Sequence, residues 1–205
     1  MVIGAGGHAK VLIDALQLLG AQILGITEQN ATMLNAELLG VPVICVDDEL
    51  GKYSSNGIAL VNGIGGTRDT ALRQEVFTRF KAQGYTFSRV IHPAAVISAA
   101  AALGEGVQVM AGAVIQAGVR IGENTIINTR ASVDHDCRIG NHVHLAPGVT
   151  LCGNVEVGDS VHVGSGSTII QGIVVGAHSL IGAGTLVQQN VPAGATVMGV
   201  PGRII

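Results

Sequence analysis

The sequence predicts a small α/β, half-Rossmann-like unit over residues 1–88, followed by an all-β, triangular parallel β-helix over 89–205. Three observations predict this division. All five aromatic residues, Tyr53, Phe77, Phe80, Tyr85 and Phe87, and all three lysines lie before residue 90. Strand-like and helix-like segments alternate over that same stretch. From Ile91 onward an aliphatic residue recurs every six positions.

The first segment reads as alternating elements. "VIG" (2–4) opens a strand, and "HAKVLIDALQLLG" (8–20) has helical spacing with Gly20 as its stop. "AQILGIT" (21–27), "VPVICV" (41–46) and "GIALVNGI" (57–64) read as three further strands, and "TRDTALRQEVFTRFKAQG" (67–84) as a second helix ending at Gly84. Strands alternating with helices imply a parallel sheet. The opening strand is short before its glycines, which points to an original start a few residues upstream.

The second segment follows one rule. Steps of six from Ile91 through Ile97, Leu103 and onward to Ile181 and Val187 meet only Ile, Leu or Val, at seventeen positions in a row. Four places after each stands a small or β-branched residue, among them Ala95, Val107, Thr125, Cys137, Ser167 and Val191. A period of six fits neither a helix nor plain alternation, but it suits short strands joined by corners, three to an 18-residue coil. The aliphatic fills the interior, and Gly or Asn is expected where corners need unusual backbone angles. So narrow an interior leaves no room for rings, which accounts for the missing aromatics.

Composition excludes several functions. Only 12% of residues are charged and the net charge is −3. Basic and acidic residues number seven and eight in 1–90, then four and six in 91–205, so neither part has the basic footprint of a nucleic-acid binder. The 30 glycines interrupt every apolar run short of a membrane span. "MVIGAGGHAK" lacks the charged region, apolar stretch and cleavage site of a secretory leader, so the sequence predicts a cytoplasmic location. Cys45, Cys137 and Cys152 are odd in number, without C-x-x-C spacing, and are expected to be reduced thiols.

Two motifs carry chemistry. "GAGGHA" (4–9) places G-x-G-x-x-A between a strand and a helix, where backbone N–H groups hold phosphate, and Glu28 stands near the distance of a ribose partner. An NAD-dependent dehydrogenase is the obvious reading. Eighty-eight residues, however, supply half a dinucleotide fold, which suits a nucleotide-bearing substrate better. The second motif is "SVDHDCRIGNHVH" (132–144). In the hexad frame His135 and Asp136 fall together at an outward corner, an imidazole beside a carboxylate. Gly153, 18 residues after His135, stacks one coil above it. Pro147, Ser165 and Ala183 form another small-sided column.

The hexad pattern resembles the left-handed parallel β-helix of the hexapeptide acyltransferases, which departs from the usual right-handed crossover. More specifically, the chain resembles the NeuD/PglD-like sugar acetyltransferases, the group of the bacillosamine and perosamine N-acetyltransferases and the sialic acid O-acetyltransferase. The likeness rests on the "GAGGHAKV" loop and on an N-T-x-x-x-x-x-H-[DE]-C-x-I-G stretch matched by Asn128, Thr129, His135, Asp136, Cys137, Ile139 and Gly140. It extends to the "GVPGR" ending at 199–203.

This resemblance implies an acetyl-CoA-dependent acetyltransferase without a metal. His135 would be the general base and Asp136 its orienting carboxylate. His144, Gly153, Ser165 and Ala183 would meet acetyl-CoA, and Gly6, Gly7, His8, Glu28 and Gly65 the nucleotide sugar. The active unit would be a homotrimer with its site between protomers. The acceptor would be the amine of a UDP- or GDP-linked 4-amino-4,6-dideoxy sugar, with sugar O-acetylation of the sialic acid type as the alternative. "ITEQN" (26–30) departs from the acidic pair some members show there, which leaves base and sugar open. Two other classes remain: a trimeric metal-dependent lyase, suggested by the stacked His144 and His162, and a non-enzymatic sugar-nucleotide binder. His92 and His178 read as structural.

Overall fold

The computed structural model describes residues 1–205. In the first part, β1 (Val2–Ile3) leads through a tight loop into α1 (Gly7–Leu18), and β2 (Ile26–Thr27) returns beside β1. There follow β3 (Glu37–Leu38), β4 (Val41–Cys45), β5 (Ala59–Asn62), α2 (Ala71–Ala82) and β6 (Thr86–Phe87). The sheet order is β3-β4-β2-β1-β5-β6. All pairings are parallel except β3 with β4, a hairpin edge that the sequence reading did not anticipate. The second strand is also shorter than expected: only Ile26–Thr27 is strand, and Ala21–Gly25 before it lies outside the sheet except for the Gly25 carbonyl, which accepts from Val2 N at 3.1 Å. Gly4 adopts φ 85°, the left-handed conformation that turns β1 toward α1, and explains the first glycine of the motif.

From Val90 the chain winds into a parallel β-helix of two-residue strands. Strands starting at 90, 108, 126, 144, 162 and 180 stack into face 1. Those starting at 96, 114, 132, 150, 168 and 186 form face 2, and those at 102, 120, 138, 156 and 174 form face 3. Each coil therefore takes 18 residues, as the hexads predict. The last is shorter: Leu180 pairs with Thr196, and an antiparallel strand Arg203–Ile204 closes the end. The inward aliphatics and their small companions form one buried cluster of 27 residues.

Corner chemistry differs from expectation. Every sixth residue from Gly106 to Gly184 has a positive φ near 55–77°. Gly and Asn hold some of these corners, but Arg130, Asp136, His142, Ser160 and His178 hold others. The stacked ladder above and below fixes the backbone even where the residue itself disfavours it, at about 1–2 kcal/mol per residue.

The α/β unit lies on face 1. Gln108 donates to the Asn62 carbonyl, Lys81 pairs with Glu105 at 2.6 Å, and Phe77 meets the His142 ring edge-on. The outward side chains of the first five strands of this face, Val90, Gln108, Ile126, His144 and His162, are all buried, and Leu180 beyond them is half-buried. No helix is long and apolar enough to cross a membrane. All three cysteines are free thiols.

Candidate active site

His135 and Asp136 stand at the corner between faces 2 and 3, both more than half exposed. His135 Nδ1 lies 2.9 Å from Asp136 Oδ2. The left-handed backbone of Asp136, φ 59°, turns its carboxylate back onto the preceding ring. A carboxylate only accepts, so Nδ1 carries a proton, and in the neutral ring Nε2 holds the lone pair. That hydrogen bond raises the His135 pKa above its ordinary value, and the charges of Asp134 and Asp136 add to the effect. The ring lies over Gly153: a Cβ there would stand 2.6 Å from Nε2. Gly153 N–H donates to no protein acceptor, so a free main-chain donor adjoins the free imidazole nitrogen.

A second site opens where the α/β unit meets face 1. A cleft of about 770 Å³ is lined by the Gly4–His8 loop, Glu28, Gly63–Thr67, Asp69, Asn128 and His144. All five residues expected to meet the nucleotide sugar, Gly6, Gly7, His8, Glu28 and Gly65, border it. Gly6 caps α1 without a side-chain hydrogen bond, which leaves the first N–H groups of the helix to the cleft. Glu28 has a structural task as well: its carboxylate accepts from Ala5 N at 2.7 Å and from Asn30 N at 3.3 Å, holding the glycine loop against the strand end.

His144 belongs to this cleft, not to the His135 corner. Its ring is almost wholly buried, with Asn128 Nδ2 at 3.1 Å from Nε2 and the His162 ring edge-on at 5.0 Å. Asn128 Oδ1 accepts from Thr129 N, so Nδ2 is the donor to His144. Burial foremost, then the His162, His8 and Arg73 charges, hold His144 down to about 3. It is a neutral ring. His8, whose Nε2 lies 2.7 Å from Gln108 Oε1, is likewise lowered to about 4, by burial first and by Arg73 second. Ser165 and Ala183 stand exposed at the corner between faces 1 and 2, one whole face from His135. Within one chain, therefore, Gly153 alone of the expected acetyl-CoA residues adjoins His135. The stacked His144 and His162 have no third ligating neighbour: no group of three or more His, Cys, Asp or Glu is close enough to hold a metal ion. His92 Nδ1 accepts from Ala94 N at 3.0 Å in the first turn, and His178 occupies a corner.

Comparison with known proteins agrees with this architecture. Residues 1–80 match the PglD N-terminal domain, and 100–135 and 118–153 match the bacterial transferase hexapeptide repeats. A histidine-to-alanine variant of GDP-perosamine N-acetyltransferase from Caulobacter crescentus, in complex with CoA and GDP-perosamine, is 40% identical. The match covers 100% of this chain and 95% of that one with a TM-score of 0.93. The chain belongs to the NeuD/PglD-like sugar acetyltransferases. The acetyltransferase domain of PglB from Neisseria gonorrhoeae FA1090, in complex with acetyl coenzyme A, is 34% identical over 100% of this chain and 97% of that one, TM-score 0.92. WeeI from Acinetobacter baumannii AYE is 26% identical over 100% and 98%, TM-score 0.87. Among curated proteins, sequence comparison finds no match.

Sequence reading missed Asn128 as a partner of His144, and it missed Arg73, Gln108 and Asp69 at the domain junction. Arg73 had a usable signal. It stands three, four and seven residues before Val76, Phe77 and Phe80, which places it on the buried stripe of α2.

Proposed function

We propose that the chain transfers the acetyl group of acetyl-CoA to the amine of a nucleotide-linked 4-amino-4,6-dideoxy sugar, with His135 as general base. The observation that carries this is the His135 tautomer: Nδ1–H held by Asp136 and Nε2 free beside the unpaired Gly153 N–H. As the sugar nitrogen attacks the thioester carbonyl, Nε2 takes its proton, and the Gly153 N–H stabilises the oxyanion that forms. Collapse of the tetrahedral adduct breaks the C–S bond, and the imidazolium returns a proton to the departing CoA thiolate. The cleft above face 1 holds the nucleotide on the glycine loop and the open end of α1. The complexes named for the Caulobacter and Neisseria enzymes, with GDP-perosamine and with acetyl coenzyme A, favour the same two cosubstrates here.

The active unit in this reading is a homotrimer. Face 1 is covered by the α/β unit, while face 3 presents Arg120, Arg138 and Glu156. Face 2 presents only Val96, Val114, Ser132, Thr150, Thr168 and Leu186, an uncharged surface fit for contact. Closing three copies around face 2 brings the His135 corner of one protomer to the Ser165 and Ala183 corner of the next, beside that neighbour's His144 cleft. Acetyl-CoA would run between the two corners, and the sugar would reach His135 from the adjacent chain. The domain division at 88/89 separates the two tasks, nucleotide from acetyl chemistry. We assign the enzyme to the cytoplasm, where both cosubstrates and a reducing milieu for its three free thiols are available.

The test is thiol release from acetyl-CoA with UDP- and GDP-linked 4-amino sugars, against sialic acid as a hydroxyl acceptor, with product mass as readout. The expected result is an acetamido sugar nucleotide and free CoA. Turnover with the hydroxyl acceptor alone would replace the amine by the alcohol, and nucleotide binding without thiol release would make the protein a binder.

A further inference from the structure

Arg73, in the first turn of α2, is fully buried, and none of the chain's carboxylates pairs with it. Its guanidinium instead donates to three main-chain carbonyls. Nε reaches Asn124 O at 2.9 Å on the β-helix, and Nη1 reaches Asn62 O at 2.9 Å and Ile64 O at 2.7 Å on the α/β unit. Nη2 is buried with no partner. Asn62 and Asn124 complete the knot, each donating to the Arg73 carbonyl and one to the other. Ile64 belongs to the Gly63–Thr67 wall of the cleft, so the cation holds that wall to the prism from behind.

A buried, uncompensated charge is costly, and its field reaches far through protein of low dielectric. Here the field reaches the cleft: although burial is the main reason His8 and His144 stay neutral, the Arg73 charge contributes to both. An anion bound between the open end of α1 and this wall would supply the charge that the folded chain withholds.

We infer that Arg73 is a positioning residue for the nucleotide sugar: it fixes the Gly63–Thr67 wall against the β-helix, and its positive charge is neutralised by the diphosphate of the bound ligand. This rests on the nucleotide-binding reading of the cleft. It differs from a purely structural role in one respect: the diphosphate matters, not the nucleoside.

The test uses full-length protein and titration calorimetry with UDP, GDP, uridine and guanosine. Arg73→Met and Arg73→Gln both remove the charge, and Gln keeps donors for the carbonyls if Met fails to fold. Expected is a loss of about 10- to 100-fold in affinity for the diphosphate, with nucleoside affinity within about threefold of wild type. Equal loss for diphosphate and nucleoside, or loss for neither, would overturn the inference. A second measurement needs no variant. Lys10 and Arg68, the cations next in sequence to the cleft-lining Val11, Thr67 and Asp69, are exposed and screened by salt, whereas a buried charge is not. Wild-type UDP or GDP affinity should change by less than about threefold between 50 and 500 mM NaCl, and a loss beyond about tenfold would assign the attraction to those surface groups instead. Wild-type protein that binds neither UDP nor GDP would remove the nucleotide reading itself, a result distinct from bound nucleotide indifferent to Arg73.

Discussion

Gly153→Ala separates the position of the proposed base, His135, from the stability of the fold. The added Cβ would stand 2.6 Å from His135 Nε2 and 2.7 Å from Cε1, against 3.4–4 Å for ordinary contact, so the ring must retreat by roughly 0.7 Å or more. His135 is exposed, which makes the retreat cheap for the fold but not for proton transfer. Displacement on the order of 1 Å costs about 100-fold when a reacting group must be aligned, and we expect kcat to fall by about 10- to 100-fold. The main-chain N–H survives the substitution, so the oxyanion donor proposed above is still present. Gly153 is not among the left-handed residues, so alanine brings no backbone strain and restricts the unfolded chain, for a gain of about 0.4–1 kcal/mol. Thiol-release kinetics with thermal melting read both effects. A variant with kcat within about threefold of wild type would refute the stacking of His135 on Gly153, and a collapsed melting temperature would mean that the glycine serves the fold instead.

Further outcomes follow from the same geometry. Asp136→Asn keeps a residue that tolerates φ 59° but removes the carboxylate that raises His135, so the acid limb of the kcat/KM profile should move to lower pH while the plateau falls; an unmoved limb would dissociate the pair. His8 and His144, lowered to about 4 and about 3, stay neutral in the fold but are protonated when unfolded below about 6.5. Stability from these groups is therefore complete above that pH and lost as pH falls, at about 2–3 kcal/mol per unit near pH 5, where unfolding takes up about two protons; urea titrations at pH 5 and 6 that agree would contradict it. His135→Ala mixed one-to-one with Gly7→Asp, whose new carboxylate enters the cleft without a clash, should regain about one quarter of activity if base and cleft come from different protomers, and none if they belong to one chain.

The prism was legible because its core leaves no choice. Seventeen aliphatics at a strict step of six admit one coil length, and the 18-residue pairing follows. The His135 and Asp136 corner was legible for the same reason, since the hexad frame fixes which positions face outward. The α/β unit was less so. The helices formed where predicted, though shorter, at 7–18 against 8–20 and at 71–82 against 67–84, but strands of two residues, such as Ile26–Thr27, carry too little periodicity to delimit, and the Glu37–Leu38 hairpin depends on pairing rather than composition. His144 shows the remaining difficulty. The frame puts it outward, and only the α/β unit closing over face 1 turns an outward residue into a buried, neutral one lining a cleft. Corner residues such as Arg130 and His142 were equally hidden, because the neighbouring coils, not local preference, dictate their backbone.

The chemistry itself is tested most directly by the turnover of His135→Ala with acetyl-CoA and the preferred amino-sugar nucleotide, compared with wild type at equal protein concentration and oligomeric state. Loss of a general base predicts a fall of at least about 100-fold in kcat with nucleotide affinity retained. Unchanged kcat in a folded, nucleotide-binding variant would contradict it and remove His135 from the reaction.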